Sequence, residues 1–327
     1  MEFETISRLL IFSAIVVYAL AFVIYAFDIV SHGSSAKAAP ARANRRELVT
    51  AGADAAGGQS QNVSADESTP VISQAAPANA PRRKRRNWLR AGFSITVIGW
   101  VLHVAGTVLR GVAAERVPWA NMYEFALTGI ALAVGVFVFA QLWRDVRFLG
   151  VYIMGMATLF LGGAASNYYV EITPLPPALQ SPWLVIHVFV ATLACGFLAI
   201  SSGLSIVQLI RQRAKRSGFI ASLPNADSLE NTSYRLAVVG FILWTFTLMA
   251  GAIWAHAAWG RYWGWDTKEV WTFIIWVVYA GYLHARATRG WRGTASAVLN
   301  LIGFAAILFN FVIVNTYFTG LHAYSGL

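Results

Sequence analysis

The sequence predicts an all-α polytopic membrane protein of about eight transmembrane helices, with both termini extracytoplasmic. Three observations predict it. Charged residues make up 12% of the 327 residues and hydrophobic residues 57%, with a mean hydropathy of +0.56; a soluble domain carries about a quarter charged residues. Eight mostly apolar runs reach or approach the roughly 20 residues that a helix needs to cross a bilayer. The ten prolines all fall outside the interiors of those runs, as intact helices require. The runs are solidly apolar, not alternating, which favours helices over a barrel.

The runs cover 6–30, 91–110, 122–143, 148–165, 182–210, 236–254, 270–287 and 295–318. The first has Glu2 and Glu4 in its flank where a cleaved leader has basic residues, and it exceeds the apolar stretch of a leader, so it is expected to remain as a span. Residues 31–90 follow, rich in Ala, Gly, Ser, Pro and Gln and ending in the basic cluster Arg82-Arg83-Lys84-Arg85-Arg86. A segment with so little apolar surface is expected to be a disordered cytoplasmic linker, its cations resting on anionic lipid. Residues 91–327 form a seven-span core. The third run starts after Asn121, with Glu124 three residues on; the seventh starts after Asp266, with Glu269 three residues on. Both pairs match a capping box. Ser181-Pro182 opens the fifth run as N-cap and first helical residue.

Loop charges orient the bundle. With alternate loops inside, the inner side holds 20 of the 25 Lys and Arg, whereas acidic residues divide seven outside and eight inside. That asymmetry belongs to positive charge alone, as the positive-inside rule demands. The net charge of +10 therefore describes topology and contact with the lipid bilayer, and no nucleic acid partner is expected. The single cysteine, Cys195, excludes a disulfide framework, a CxxC motif and a CxxCH haem-attachment sequence. It lies mid-span, where an apolar packing role is expected.

Six of the 13 Trp fall between Trp254 and Trp276. Within the segment 254–271, read as an external loop, Trp259, Trp263, Trp265 and Trp271 alternate with Gly260 and Gly264, which let a flat ligand approach the backbone. Arg261 and Lys268 add cations. The set suits a large planar apolar ligand with carboxylates, such as a porphyrin; it also suits an aromatic belt at the bilayer interface. Three histidines share that side. His187 is about 8 Å inside the fifth span by helical rise, His256 lies in the aromatic segment, and His322 follows the last span. Imidazoles beside such a platform could ligate haem iron. His284 lies roughly 22 Å down the seventh span and His103 roughly 20 Å along the second from the opposite face, so the two do not share a depth. His103 reads as a helix–helix hydrogen-bonding residue.

The run Trp259-Gly-Arg-Tyr-Trp263-Gly-Trp265-Asp266-Thr-Lys268-Glu269-Val-Trp271 resembles the tryptophan-rich WWD signature of haem-handling proteins. Asn121-Met-Tyr-Glu-Phe125, Ser181-Pro-Trp-Leu-Val-Ile-His187, Tyr282-Leu-His284 and Gly320-Leu-His-Ala-Tyr324 narrow the resemblance to the CcsA (ResC) family of system II cytochrome c synthases. It covers the chain from about residue 91 onward. The resemblance implies a subunit of a cytochrome c haem lyase or synthase in the bacterial plasma membrane, its active face extracytoplasmic. Haem b would be a transiently bound substrate, exported and held over the WWD segment by His187 and His322, with Trp259, Arg261, Trp263, Trp265, Asp266, Lys268 and Trp271 around it. His284 matches the intramembrane haem histidine, whose companion ligand would come from the partner protein CcsB (ResB). The CxxCH segment of apocytochrome c would replace one axial ligand and add its thiols across the haem vinyl groups. No catalytic residue beyond these positioning residues is evident, and a thioredoxin-like protein would keep the thiols reduced. The chain departs from the family at Thr267, where proline is usual, and at His256, where asparagine is expected, which adds a competing imidazole. A haem or porphyrin transporter without covalent chemistry is the alternative.

Overall fold

A computed structural model describes residues 2–54, 80–214, 218–288 and 290–322, with the backbone alone for 32–54, 80–86 and 218. The described regular elements are all helical. They are α1 (Glu2–Asp54), α2 (Ala80–Ala114), α3 (Met122–Ala140), α4 (Gly150–Asn167), α5 (Pro182–Arg213), the short α6 (Gly218–Ser222), α7 (Ala226–Trp259), α8 (Thr267–Thr288) and α9 (Thr294–Leu308). A π-helical segment, Phe309–Val314, carries α9 into the last turn, α10 (Asn315–Tyr317).

Among the described residues, seven helical stretches have the length and hydropathy to cross a bilayer: Glu2–Ser31, Asn87–Ala114, Met122–Ala140, Arg147–Asn167, Pro182–Arg213, Ala226–Trp259 and Thr294–Tyr317. The chain is thus an all-α polytopic membrane protein. Helix α8 stands where the run 270–287 predicts a further span. Its 22 residues include Lys268, Glu269, Arg286 and several Trp and Tyr, and these lower its hydropathy below that of the other seven. The exposed residues of α7 show the lipid-facing stripe expected of a span: Val239, Ile242, Phe246, Met249 and Ile253 recur at intervals of three and four.

Three boundaries differ from the sequence expectation. Backbone helix extends to Asp54 and resumes at Ala80, where disorder was expected throughout 31–90; residues 55–79 lie outside the described residues. Scarcity of apolar surface argues against a packed core, but Ala and Arg favour helix without one. Helix α7 starts at Ala226, ten residues before the apolar run, because Asn225 caps it by accepting the Ser228 N–H at 2.8 Å. It also continues to Trp259 and ends at Gly260, whose φ of 73° is the left-handed conformation of a helix stop. The aromatic segment 254–271 is therefore a loop only between Gly260 and Asp266, with helix on either side.

Two apolar cores divide the bundle. One joins α1, α2, α3 and α4 around Tyr18, Phe137, Leu149 and Leu161. The other joins α5, α7, α8 and α9 around Leu198, Trp244, Ile275, Tyr279 and Phe304. Polar groups hold the second together, as they do where lipid supplies no hydrophobic drive between helices. Asn300 on α9 donates to Ser201 and Ser205 on α5 and to Ser233 on α7, at 2.9, 2.8 and 3.1 Å. Nearer one end, buried Glu230 of α7 pairs with Arg286 of α8 at 2.5 Å and accepts from Gln208 of α5 and the Gly293 N–H. The opposite end, where α5 and α8 begin and α7 and α10 finish, carries a small third cluster of Leu179, Leu184, Val188 and Trp254. That end holds the candidate site.

Candidate functional site

The site is built on four helix ends. Serine 181 caps α5 by accepting the Trp183 N–H, with Pro182 at the first position, so His187 emerges one and a half turns in. Its Nδ1 meets the Thr247 carbonyl of α7 at 2.9 Å. A carbonyl only accepts, so Nδ1 carries the proton and the Nε2 lone pair is free. The ring stacks on Trp254 at 5.8 Å and 20°, and Gly251 leaves it room: a Cβ there would stand 2.7 Å from its Cε1. Trp254 is itself fixed by donating to the Ala178 carbonyl at 2.9 Å.

His322 arrives from the other end of the sequence. Its Nδ1 lies 2.7 Å from Asp266 Oδ2, and the Leu321 N–H donates to Oδ1 of the same carboxylate at 3.0 Å. This tether again leaves Nε2 open. The His322 ring packs edge-on against Trp254 and Trp259, at 5.5 and 4.9 Å. The hydrogen bond from His322, with help from the Leu321 and Lys268 N–H groups, holds the Asp266 carboxyl down at about 2 although burial opposes it. A carboxylate or carbonyl on the Nδ1 side is the usual second partner of a metal-ligating imidazole. Among the described residues, no protein group bonds either Nε2.

Both histidines line one cavity of about 850 Å³, with Ala191 and Cys195 of α5, Trp244 and Thr247 of α7, and Asn310 of the π segment among its walls. His187, Trp254, Lys268 and His322 also border a second recess of about 610 Å³, with Trp119, Asn121 and Leu184 on its far side. An apolar, ring-lined space with two open imidazole nitrogens fits an iron porphyrin.

The loop between α7 and α8 is shaped around Glu269. Its carboxylate accepts the Gly264 and Asp266 N–H groups at 2.8 and 3.0 Å and pairs with Arg261 at 3.2 Å. Arg261 lies over Trp259 at 5.9 Å and crosses Gly264 so closely that a Cβ there would collide with its guanidinium. Trp265 takes a φ of 60°, a conformation rare for a residue with a Cβ, and leaves its ring 73% exposed. The expected capping box at Asp266 and Glu269 is present in part: Glu269 accepts the Asp266 N–H, and Asp266 Oδ2 accepts the Lys268 N–H at 3.2 Å.

The other predicted site residues separate. Trp263 lines the cavity, whereas Trp271 packs on Phe309 at 4.3 Å. Arg261, expected at a ligand's carboxylate edge, is engaged by Glu269. Lys268 faces the cavity, with its Nζ on Asn315 Oδ1. His256 is exposed and stacks on Tyr262 at 4.3 Å, outside the walls of both recesses. His284 is exposed near the far end of α8. His103 is fully buried between α1 and α2, 3.2 Å from the Tyr18 hydroxyl, so the two share no site. Cys195 packs against the core of α5, α7, α8 and α9 as expected and also lies in the cavity wall. Trp244, Thr247, Gly251 and Asn310 were not singled out from the sequence. Asn310, a polar residue inside an apolar run, gave a signal that went unused; the Thr247 carbonyl gave none, since any residue supplies one.

A helical membrane protein with an aromatic, two-histidine cavity at one end of the bundle is the class that fold and site define. The family model for cytochrome C assembly proteins matches residues 119–322. Cytochrome c biogenesis protein CcsA of Trieres chinensis is 31% identical, the match covering 73% of this chain and 92% of the relative. CcsA of Synechococcus sp. (strain CC9605) is 32% identical over 72% and 87%, and that of Synechococcus sp. (strain JA-3-3Ab) 33% identical over 70% and 83%. The chain belongs to the cytochrome c assembly protein family, as a CcsA member.

Proposed function

We propose that the chain takes part in cytochrome c maturation by holding haem b as a transient substrate between His187 and His322 and presenting it to the CxxCH segment of an apocytochrome c. The observation that carries this reading is the paired arrangement of the two imidazoles, each with Nδ1 engaged by a protein oxygen and each in the wall of one cavity. The names of the relatives, all cytochrome c biogenesis proteins, support it.

The chain's own groups would supply position and ligation. Thr247 and Asp266 set the tautomer and aim of the two rings, Trp254 and Trp259 fix their planes, and Trp263 and Phe125 keep water from the pocket. Haem itself contributes the vinyl groups, across which each cysteine S–H adds to form a thioether, with no oxidant or reductant consumed. Among the described residues the tail bearing His322 is hydrogen-bonded only to the Asp266 carboxylate, whereas His187 sits within a helix, so His322 would be the ligand more easily displaced by the incoming CxxCH histidine. Exposed His284 is available to a membrane partner of the CcsB (ResB) type. The excess of Lys and Arg on the other side supports an extracytoplasmic site.

Holocytochrome formation on co-expression with such a partner and a CxxCH reporter tests the reading. Wild type is expected to yield covalent haem on the reporter, and His187→Ala or His322→Ala to lose it and regain part with added imidazole. Haem exported without thioether formation would instead leave a transporter.

A further inference from the structure

We propose that Lys268, Asn310 and Asn315 form the subsite for the carboxylate side chains of the bound porphyrin. The inference rests on the haem reading above and adds which edge of the ring the protein grips.

Lys268 projects from the first turn of α8 into the cavity wall, and its Nζ meets only the neutral amide oxygen of Asn315. The two nearest acidic residues in sequence are otherwise engaged. Asp266 holds His322 and the Leu321 and Lys268 N–H groups, and Glu269 holds Arg261 and two loop N–H groups. Among the described residues, no carboxylate forms an ion pair with Lys268. An ammonium facing an apolar, ring-lined space without a counter-ion is costly, and a carboxylate from the ligand removes that cost.

Asn310 points to the same place independently. It is only 4% exposed and lines the cavity, and among the described residues neither its Oδ1 nor its Nδ2 donor has a hydrogen-bond partner, so an N–H donor is free there for a carboxylate. It sits in the π segment Phe309–Val314, and π turns interrupt helices mostly at functional sites. The wider turn has a geometric consequence. In an α-helix, residues four apart stack; with the i to i+5 closure of a π turn, residues five apart approach that alignment. Asn310 and Asn315 are five apart, so the segment brings two amides toward one side of the helix, and Asn315 reaches Lys268. The Asn315 Nδ2 contacts only Met122 Sδ, at 3.5 Å, a weak acceptor that a carboxylate would readily replace. Lys268 borders both recesses, Asn310 the first and Asn315 the second, so one ammonium and two amides make a donor set for carboxylate where the recesses adjoin. The one carboxylate among the described residues of the first cavity's wall, Glu269, is already engaged by Arg261 and two loop N–H groups. Anchoring there would decide which edge of a nearly symmetric ring is left for the cytochrome thiols.

Absorbance titration of the detergent-purified full chain tests the subsite with three probes: haem, haem dimethyl ester, whose carboxylates are blocked, and iron mesoporphyrin, which keeps the carboxylates and lacks vinyl groups. Wild type is expected to bind haem and iron mesoporphyrin roughly tenfold to hundredfold more tightly than the ester, the range for hydrogen bonds to a charged group. Lys268→Met should lower haem affinity to that of the ester while leaving ester affinity unchanged, which also shows that the site is folded. Lys268→Arg should restore most of the preference, and Asn310→Leu should reduce it. Equal binding of haem and ester by wild type, or an equal loss for both in Lys268→Met, would overturn the subsite and leave the haem reading standing. Failure of wild type to bind any of the three would overturn both.

Discussion

Helices α3 and α8 begin with the same spacing, Asn121 with Glu124 and Asp266 with Glu269, yet the long-range contact is made by a different member of each pair. At α3 the cap residue acts locally: Asn121 Oδ1 accepts the Glu124 N–H at 2.9 Å. The glutamate accepts the Ala120 N–H at 3.0 Å and pairs with Arg116 at 2.6 Å, as Glu269 accepts loop N–H groups and pairs with Arg261. But it also reaches outward to Arg110 at 3.0 Å, which goes on to Glu4 of α1. At α8 the glutamate acts locally and the cap residue reaches outward. Glu269 gathers the loop N–H groups, and Asp266 holds the tail through His322 and Leu321. A capping pair has two carboxyl or amide groups and needs only part of their capacity at the helix end. Whichever group is left over takes the tertiary role. At α3 that role ties spans together; at α8 it orients an imidazole.

The comparison can be broken most forcefully at α3. Glu124 and Arg110 are almost wholly buried, so Glu124→Ala removes the carboxylate shared by Arg110 and Arg116 from a buried cluster and should cost about 3–5 kcal/mol, read as a large fall in the thermal unfolding temperature in detergent. Asp266→Ala should act differently: haem affinity falls roughly tenfold to hundredfold, as when an outer partner of a ligating histidine is removed, with a smaller stability loss. Asp266→Asn sharpens the contrast, since asparagine still caps but offers His322 no charge; α8 should keep its start while haem affinity drops. Asn121→Ala should cost about 1 kcal/mol and leave a haem titration unchanged.

The smallest effect is on pH. The Asp266 carboxyl is depressed to about 2 from 3.8, so its stabilisation of the docked tail is fully present above the unfolded value and is lost as pH falls through about 2. Protease susceptibility of the tail in the haem-free chain should therefore show no step from Asp266 between pH 8 and 5.

The sequence made the spans legible because apolar length is a one-dimensional property; α8, the most diluted by polar and aromatic residues, was still visible as a run. It made the cap spacings legible too, but not their division of labour, since Arg110 and His322 lie 14 and 56 residues from the carboxylates they meet. The segment 254–271 read as a loop because Trp-rich composition carries no helical period, and only the left-handed Gly260 shows where α7 stops. His187 and His322 were suggested by position and by family resemblance. Their shared orientation depends on the Thr247 carbonyl, which side-chain patterns do not encode. The same limit hid the π segment, whose register alone gives Asn310 its place.

The central claim, two imidazoles aimed at one iron, is tested most directly by the visible absorption spectrum of the detergent-purified chain loaded with haem. Wild type should give a six-coordinate low-spin spectrum, and His187→Ala and His322→Ala should each lose it and recover it with added imidazole. A low-spin spectrum unchanged in both variants would contradict the claim and move the ligands elsewhere, with His256 and His284 the next to substitute.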